Sequence, residues 1–148
     1  MSGYPPVYNP VVANPNDGEL ITLCKILDGI ASLSPSVTNT DKPYTKVSTA
    51  STNATTIKAS AGRIYNFIST NIANQTRYVK FYDMATTPNP SVDAPDYIIP
   101  LQNGQTITLA LGVNPFYFHN GISFAIVTSA TNDGPVGAGD VVLSFTWA

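Results

Sequence analysis

The sequence predicts an all-β domain, an antiparallel β-sandwich or jelly roll of about seven or eight strands, preceded by an extended N-terminal arm and one short α-helix. Three observations carry that expectation. From Ala54 to Ala148, short runs of β-branched and aromatic residues recur between turn residues, with no helical-period segment separating them, which excludes a parallel α/β fold. Only 11% of residues are charged, against about 25% in an ordinary soluble domain, while 43% are hydrophobic. The chain also opens on a proline-rich stretch without a charged side chain.

Residues 1–16 contain Pro5, Pro6, Pro10 and Pro15. Proline fixes φ and disfavours helix at the residue before it, so the segment reads as extended and irregular. Tyr4, Tyr8, Val11 and Val12 give it apolar side chains that a flexible, Gly- or charge-rich tail lacks. An arm lying on another subunit accounts for them; a disordered terminus is the alternative.

The segment 17–34 reads as a helix capped by Asn16, with Asp17 and Glu19 where the helix dipole favours acids. Leu20, Leu23, Cys24, Leu27, Ile30 and Ala31 form one apolar stripe that Ile21 and Ile26 widen, and Pro35 ends the element. Leu20, Leu23, Leu27 and Ile30 are therefore candidate interface positions, together with the arm residues Tyr4, Tyr8, Val11 and Val12. The stripe can pack on the β block or on symmetry mates and a host surface. Residues 35–53, rich in Ser, Thr, Asn and Pro, read as a linker into a β-sandwich spanning 54–148.

Within that block, strands are expected at 55–59, 63–70, 77–82, 97–101, 105–111, 121–128 and 141–147. Simple alternation puts Ile64, Asn66, Ile68 and Thr70 on one face and Tyr65, Phe67 and Ser69 on the other. Ala61-Gly62, Asn103-Gly104, Asn120-Gly121 and Asp133-Gly134 supply the positive-φ residues of the turns.

Charge is unevenly placed. Residues 1–80 hold seven basic and four acidic side chains, net +3, whereas 81–148 hold five acidic side chains and no Lys or Arg. Separate faces would make the molecule polar; interleaved strands would cancel the difference. Neither half has the clustered basic residues of a nucleic-acid site, and no apolar run is long enough for a membrane span. The single cysteine, Cys24, allows no internal disulfide and is expected to be buried. The sequons at Asn53 and Asn74 are taken as coincidental.

Chemistry is sparse. The lone histidine, His119, sits in an expected turn without a neighbouring acid or nucleophile elbow, so an exposed turn histidine is the better reading. No zinc spacing occurs; Asp83, Asp93, Asp96, Asp133 and Asp140 offer oxygen ligands without EF-hand spacing. The glycines of 134–139 do not lead into a helix, so no phosphate loop is expected. No cofactor, metal or catalytic residue is expected. Most aromatics lie in alternating strands as core; Phe116-Tyr117-Phe118, after Asn114-Pro115, is the candidate exposed aromatic loop.

The runs 57–65 (IKASAGRIY), 77–83 (RYVKFYD) and 98–101 (IIPL), followed by a glycine-containing loop before a final apolar strand, resemble a β-sandwich module of tailed-bacteriophage virion proteins. Such modules occur on heads as decoration or cement proteins and in head fibres and tail appendages. The resemblance covers 54–148 and stops short of the arm and helix. It implies a non-enzymatic capsid decoration protein on the outer capsid surface, assembled in the host cytoplasm, with the major capsid protein and itself, as a homotrimer, for partners. A receptor- or carbohydrate-binding module of a head fibre or tail is the alternative.

Overall fold

The computed structural model describes residues 41–131 and 133–148. The expected arm and helix, with Tyr4, Tyr8, Val11, Val12, Leu20, Leu23, Leu27 and Ile30, lie outside the described residues.

Among the described residues nine strands form: β1 (Lys42–Val47), β2 (Thr55–Lys58), β3 (Gly62–Asn71), β4 (Arg77–Asp83), β5 (Tyr97–Leu101), β6 (Thr106–Ala110), β7 (Phe116–Phe118), β8 (Ile122–Val127) and β9 (Val141–Trp147). All pairings between them are antiparallel. One sheet, here sheet A, runs β1-β9-β3-β6 with β7 also on β3; the other, sheet B, runs β2-β8-β4-β5. The order is that of one long hairpin, β1 to β4 folded back on β5 to β9, wrapped into two facing sheets. That wrapping is a jelly roll.

Two strands differ from the sequence reading. β1, Lys42–Val47, lies in the segment expected to be linker. Its alternation, Lys42-Pro43-Tyr44-Thr45-Lys46-Val47, has a single aromatic to mark the inward face and is masked by the Ser and Thr around it. β7 occupies the expected aromatic loop, extending the edge of β3 beyond the end of β6.

The alternation expected in β3 also breaks at one residue. Ile64 faces Trp147 and Asn66 faces Thr146, so Tyr65 is an extra residue, a β-bulge. Before the bulge Ile64 points into the core; after it Phe67, Ser69 and Asn71 do, and Asn66, Ile68 and Thr70 face outward. A strict period of two cannot anticipate a change of phase.

The core between the sheets is aromatic. Phe81 sits at its centre, with ring centroids of Phe67, Phe116, Phe118, Phe124 and Phe145 5.7–6.3 Å away, mostly edge-on or tilted. Such pairs contribute about 0.5–1.5 kcal/mol each beyond their area burial. Polar clamps fasten the sheets at one end. Buried Asn71 of sheet A shares its amide protons among the carbonyls of Gln75, Leu101 and Gln102, and its Oδ1 accepts the Ala73 N–H. Arg77 of sheet B is bound by Asp140, the residue before β9.

The outer side of sheet B is covered over β4 and β8, and all six residues of β8 are inaccessible, while Ile98 and Pro100 of β5 stay exposed. Tyr82, Ala125 and Val127 make a second small cluster there, with Ala54, Tyr78 and Met84 against it. Ser123 Oγ lies 2.9 Å from the Met84 carbonyl and 3.0 Å from that of Thr86, which holds the 84–86 segment over the strand. Asn53, with φ of 52°, orders the preceding turn by accepting the Thr49 N–H and donating to the Thr49 and Ser51 carbonyls. Its amide is thus committed and buried, not presented as a glycosylation site.

Candidate interaction face

Among the described residues, sheet A is covered only on its inner side. The register aligns Pro43, Thr45 and Val47 of β1 with Thr146, Ser144 and Val142 of β9. These face Asn66, Ile68 and Thr70 of β3, which in turn face Ala110, Thr108 and Thr106 of β6. Every one of these side chains is exposed or partly exposed, and none is charged.

Six hydroxyls and amides on this face are already paired across strands. Thr45 and Ser144 are 3.1 Å apart, Thr70 and Thr106 2.9 Å, and Asn66 Nδ2 donates to Thr146 Oγ1 at 3.2 Å. Such cross-strand pairs fix rotamers in advance, so a surface landing on them orders little that is not ordered already. Val47 is 54% exposed and Ile68 45%, which gives the plane an apolar component. A flat surface without charges sheds its water at low cost.

At the end of this face the bulge turns Tyr65 outward beside Arg63 and Tyr117, where a shallow groove of about 230 Å³ is lined by Ala61, Gly62, Arg63, Tyr65, Tyr117 and Ala148. Arg63 lies over the Tyr117 ring at 5.3 Å and His119 stands edge-on to it at 4.5 Å. Of the expected aromatic loop, then, Tyr117 is exposed, Phe118 is fully buried, and Phe116 is half-buried and stacked on Tyr97 with centroids 4.2 Å apart. Strand alternation is the reason: β7 is too short to have shown it in the sequence. No signal short of knowing the bulge would have put Tyr65 with Tyr117.

His119 keeps an exposed side chain, with Nδ1 3.6 Å from Asp83 Oδ2. Asp83 serves the turn: its Oδ1 accepts the Asn120 N–H at 2.6 Å and the Gly121 N–H at 3.2 Å. Burial alone would push its carboxyl up, but the backbone N–H groups of Asn120, His119 and Gly121, with the His119 ring, hold it below the usual range. Among the described residues no group of three or more His, Cys, Asp or Glu side chains is placed to hold a metal ion. Opposite charges from the two halves of the sequence meet in the fold, as Arg77 with Asp140 shows.

No protein-family model and no curated protein matches the chain. Among solved structures, the coat protein of Tobacco streak virus in its C2 crystal form is similar at 12% identity over 77% of this chain and 88% of that one, with a TM-score of 0.35. The coat protein dimer of the same virus gives 11% identity, 78% and 89% coverage, and a TM-score of 0.34. Both scores are too low to carry an argument about function.

The outer face of sheet A was not singled out from the sequence. It is assembled from four strands distant in the chain, and its polar half, Thr and Ser, looks in sequence like ordinary solvated strand.

Proposed function

We propose that the chain is a non-enzymatic structural protein of a virion, which decorates and stabilises a bacteriophage capsid by binding subunits of the major capsid protein. The observation that carries this reading is the uncharged outer face of sheet A. A domain that lives free in solution spreads Lys and Glu over an exposed sheet, whereas the twelve positions of this face hold only Thr, Ser, Asn, Val, Ile, Ala and Pro. The proposal puts the protein on the outer capsid surface, assembled in the host cytoplasm, and accords with the resemblance of the 57–65 and 77–83 runs. Jelly rolls recur in viral capsid and lectin domains, an analogy of fold and not of site.

Cosedimentation of the purified protein with expanded, undecorated heads tests the proposal. Saturation at a symmetry-related copy number is expected, and Ile68→Lys, at the centre of the face, should weaken attachment at least roughly tenfold while leaving the circular dichroism spectrum unchanged. Absence of binding, or binding that Ile68→Lys leaves untouched, overturns it.

A second reading rests on the groove. Two tyrosine rings in one groove, with Arg63 over that of Tyr117, suit a pyranose face and its hydroxyls, as in a receptor- or carbohydrate-binding module of a phage head fibre or tail. Glycan binding abolished by Tyr117→Ala would favour it over decoration.

A further inference from the structure

The four sheet edges of the jelly roll are not protected alike. β1 carries Pro43 between Lys42 and Lys46, β5 carries Pro100, and β2 has four residues, a shifted register and Lys58. Proline, charge and irregular register are the devices that keep an edge from pairing with another chain. β6, Thr106-Ile107-Thr108-Leu109-Ala110, has none of them.

Its hydrogen-bond phase is set at both ends. The Asn71 N–H donates to the Gln105 carbonyl at 2.9 Å and the Leu111 N–H to the Tyr65 carbonyl at 2.8 Å. In an antiparallel ladder hydrogen-bonded pairs alternate, so Ile107 and Leu109 bond to β3. The N–H and C=O groups of Thr106, Thr108 and Ala110 point away from the sheet into the open edge. On β1 the same reasoning, from the Ser48 N–H donating to the Val141 carbonyl, makes Pro43 one of the outward residues, which removes a donor. A head-to-tail β6-to-β1 contact between copies is therefore the poorer match.

We infer that β6 pairs antiparallel with β6 of a second copy across a two-fold axis at Thr108, joining two copies of sheet A into one continuous sheet. Thr108 then faces the partner's Thr108, and Thr106 faces the partner's Ala110, each pair exchanging two backbone hydrogen bonds. The sequence suits its own reverse: Thr and Ala are small, Thr pairs favourably with Thr across strands, and no like charges oppose. Ile107 and Leu109, half-buried at the open rim of the core, gain cover from the same residues of the partner. The outer faces of both copies become one uncharged surface. A two-fold contact of this kind does not by itself build the trimer that the resemblance implies.

Sedimentation equilibrium of the full chain over a wide concentration range, paired with amide exchange, tests the inference. The mass should rise with concentration from 15.7 kDa to twice that value. Thr108→Pro, which removes an outward donor, and Thr108→Lys, which sets like charges face to face, should each weaken the dimer roughly tenfold or more. Thr45→Pro on the opposite edge should leave it unchanged. Exchange at Thr106, Thr108 and Ala110 in the unmodified protein should slow as concentration rises, a readout that stands even if a variant fails to fold. A mass of 15.7 kDa throughout, or an oligomer indifferent to Thr108→Lys, overturns the inference. Protection independent of concentration does so too, because the edge would then be covered within one chain.

Discussion

Asp140 holds Arg77 through one carboxylate oxygen. Its Oδ2 lies 2.8 Å from Nε and 2.7 Å from Nη2, and accepts the Gly137 N–H at 2.8 Å. The two side chains are 10% and 19% exposed, so water screens them little. They join the start of β4 in sheet B to the residue leading into β9 in sheet A.

The Gly137 N–H, followed by the hydrogen bond and charge of Arg77, holds the Asp140 carboxyl below its ordinary value against the opposing effect of burial. A depressed carboxylate contributes stability above its unfolded pKa, near 3.9, and that contribution is lost as pH falls through the lower folded value. Asp140→Asn should cost roughly 2–4 kcal/mol at neutral pH, somewhat less than breaking a fully buried pair. Thermal melts at a series of pH values should show the gap between Asp140→Asn and the unmodified protein closing below about pH 4. A gap constant across that range would mean that the pair contributes no linked stability.

Tyr82 is 1% exposed, and its hydroxyl has no hydrogen-bond partner among the described residues. Burial, with the charge of Asp93 adding to it, pushes the phenol up to about 12. A buried hydroxyl without a partner costs about 1–3 kcal/mol of desolvation, so Tyr82→Phe should be neutral or stabilising by up to about 1 kcal/mol. Denaturant titration decides; a loss above that size would mean the hydroxyl is bonded in solution.

Asn71 makes the opposite case. Replacing it by Asp keeps the shape but removes both donors and turns lone pairs toward the carbonyls of Gln75, Leu101 and Gln102. Asn71→Asp should cost roughly 3 kcal/mol or more in chemical unfolding at neutral pH. Because the residue is fully buried at the junction of the sheets, a near-neutral result would show that the junction is not held this way.

Two glycines separate steric from conformational cost. A β-carbon on Gly121 would stand 2.6 Å from the Met84 carbonyl oxygen and 2.7 Å from that of Lys58, both backbone atoms. At Gly104 nothing lies within 4 Å, but φ is +68°. Gly121→Ala should lower stability by about 3 kcal/mol and Gly104→Ala by about 1 kcal/mol, measured by urea unfolding. Equal effects would refute the distinction.

Much of this architecture is legible in the sequence, and the exceptions share causes. β5 and β9 stand where the residue pattern puts them, since Tyr97–Leu101 and Val141–Trp147 are bounded by clear turn residues. β8 reads correctly as a strand, but a run buried on both faces carries no alternation to say which side is which. β1 and β7 escape because one hides in a Ser- and Thr-rich stretch and the other is three residues long. The bulge at Tyr65 is invisible to pattern reading: the alternation groups Asn66, Ile68 and Thr70 as the structure does, but adds Ile64, which points into the core instead. The candidate face depends on pairings of residues far apart, such as Thr45 with Ser144, which no local window contains.

The pairing of Lys42 with Trp147 has a mechanical consequence. β1 and β9 run antiparallel, so the chain enters and leaves the sandwich at the same corner. Force applied across those two residues loads the hydrogen bonds between the strands one after another, like a zipper, instead of all together in shear. A pull through both would peel β1 away at low load. A pull shared between the Lys42 side and the broad face of sheet A would spread over many bonds and leave that seam unstressed.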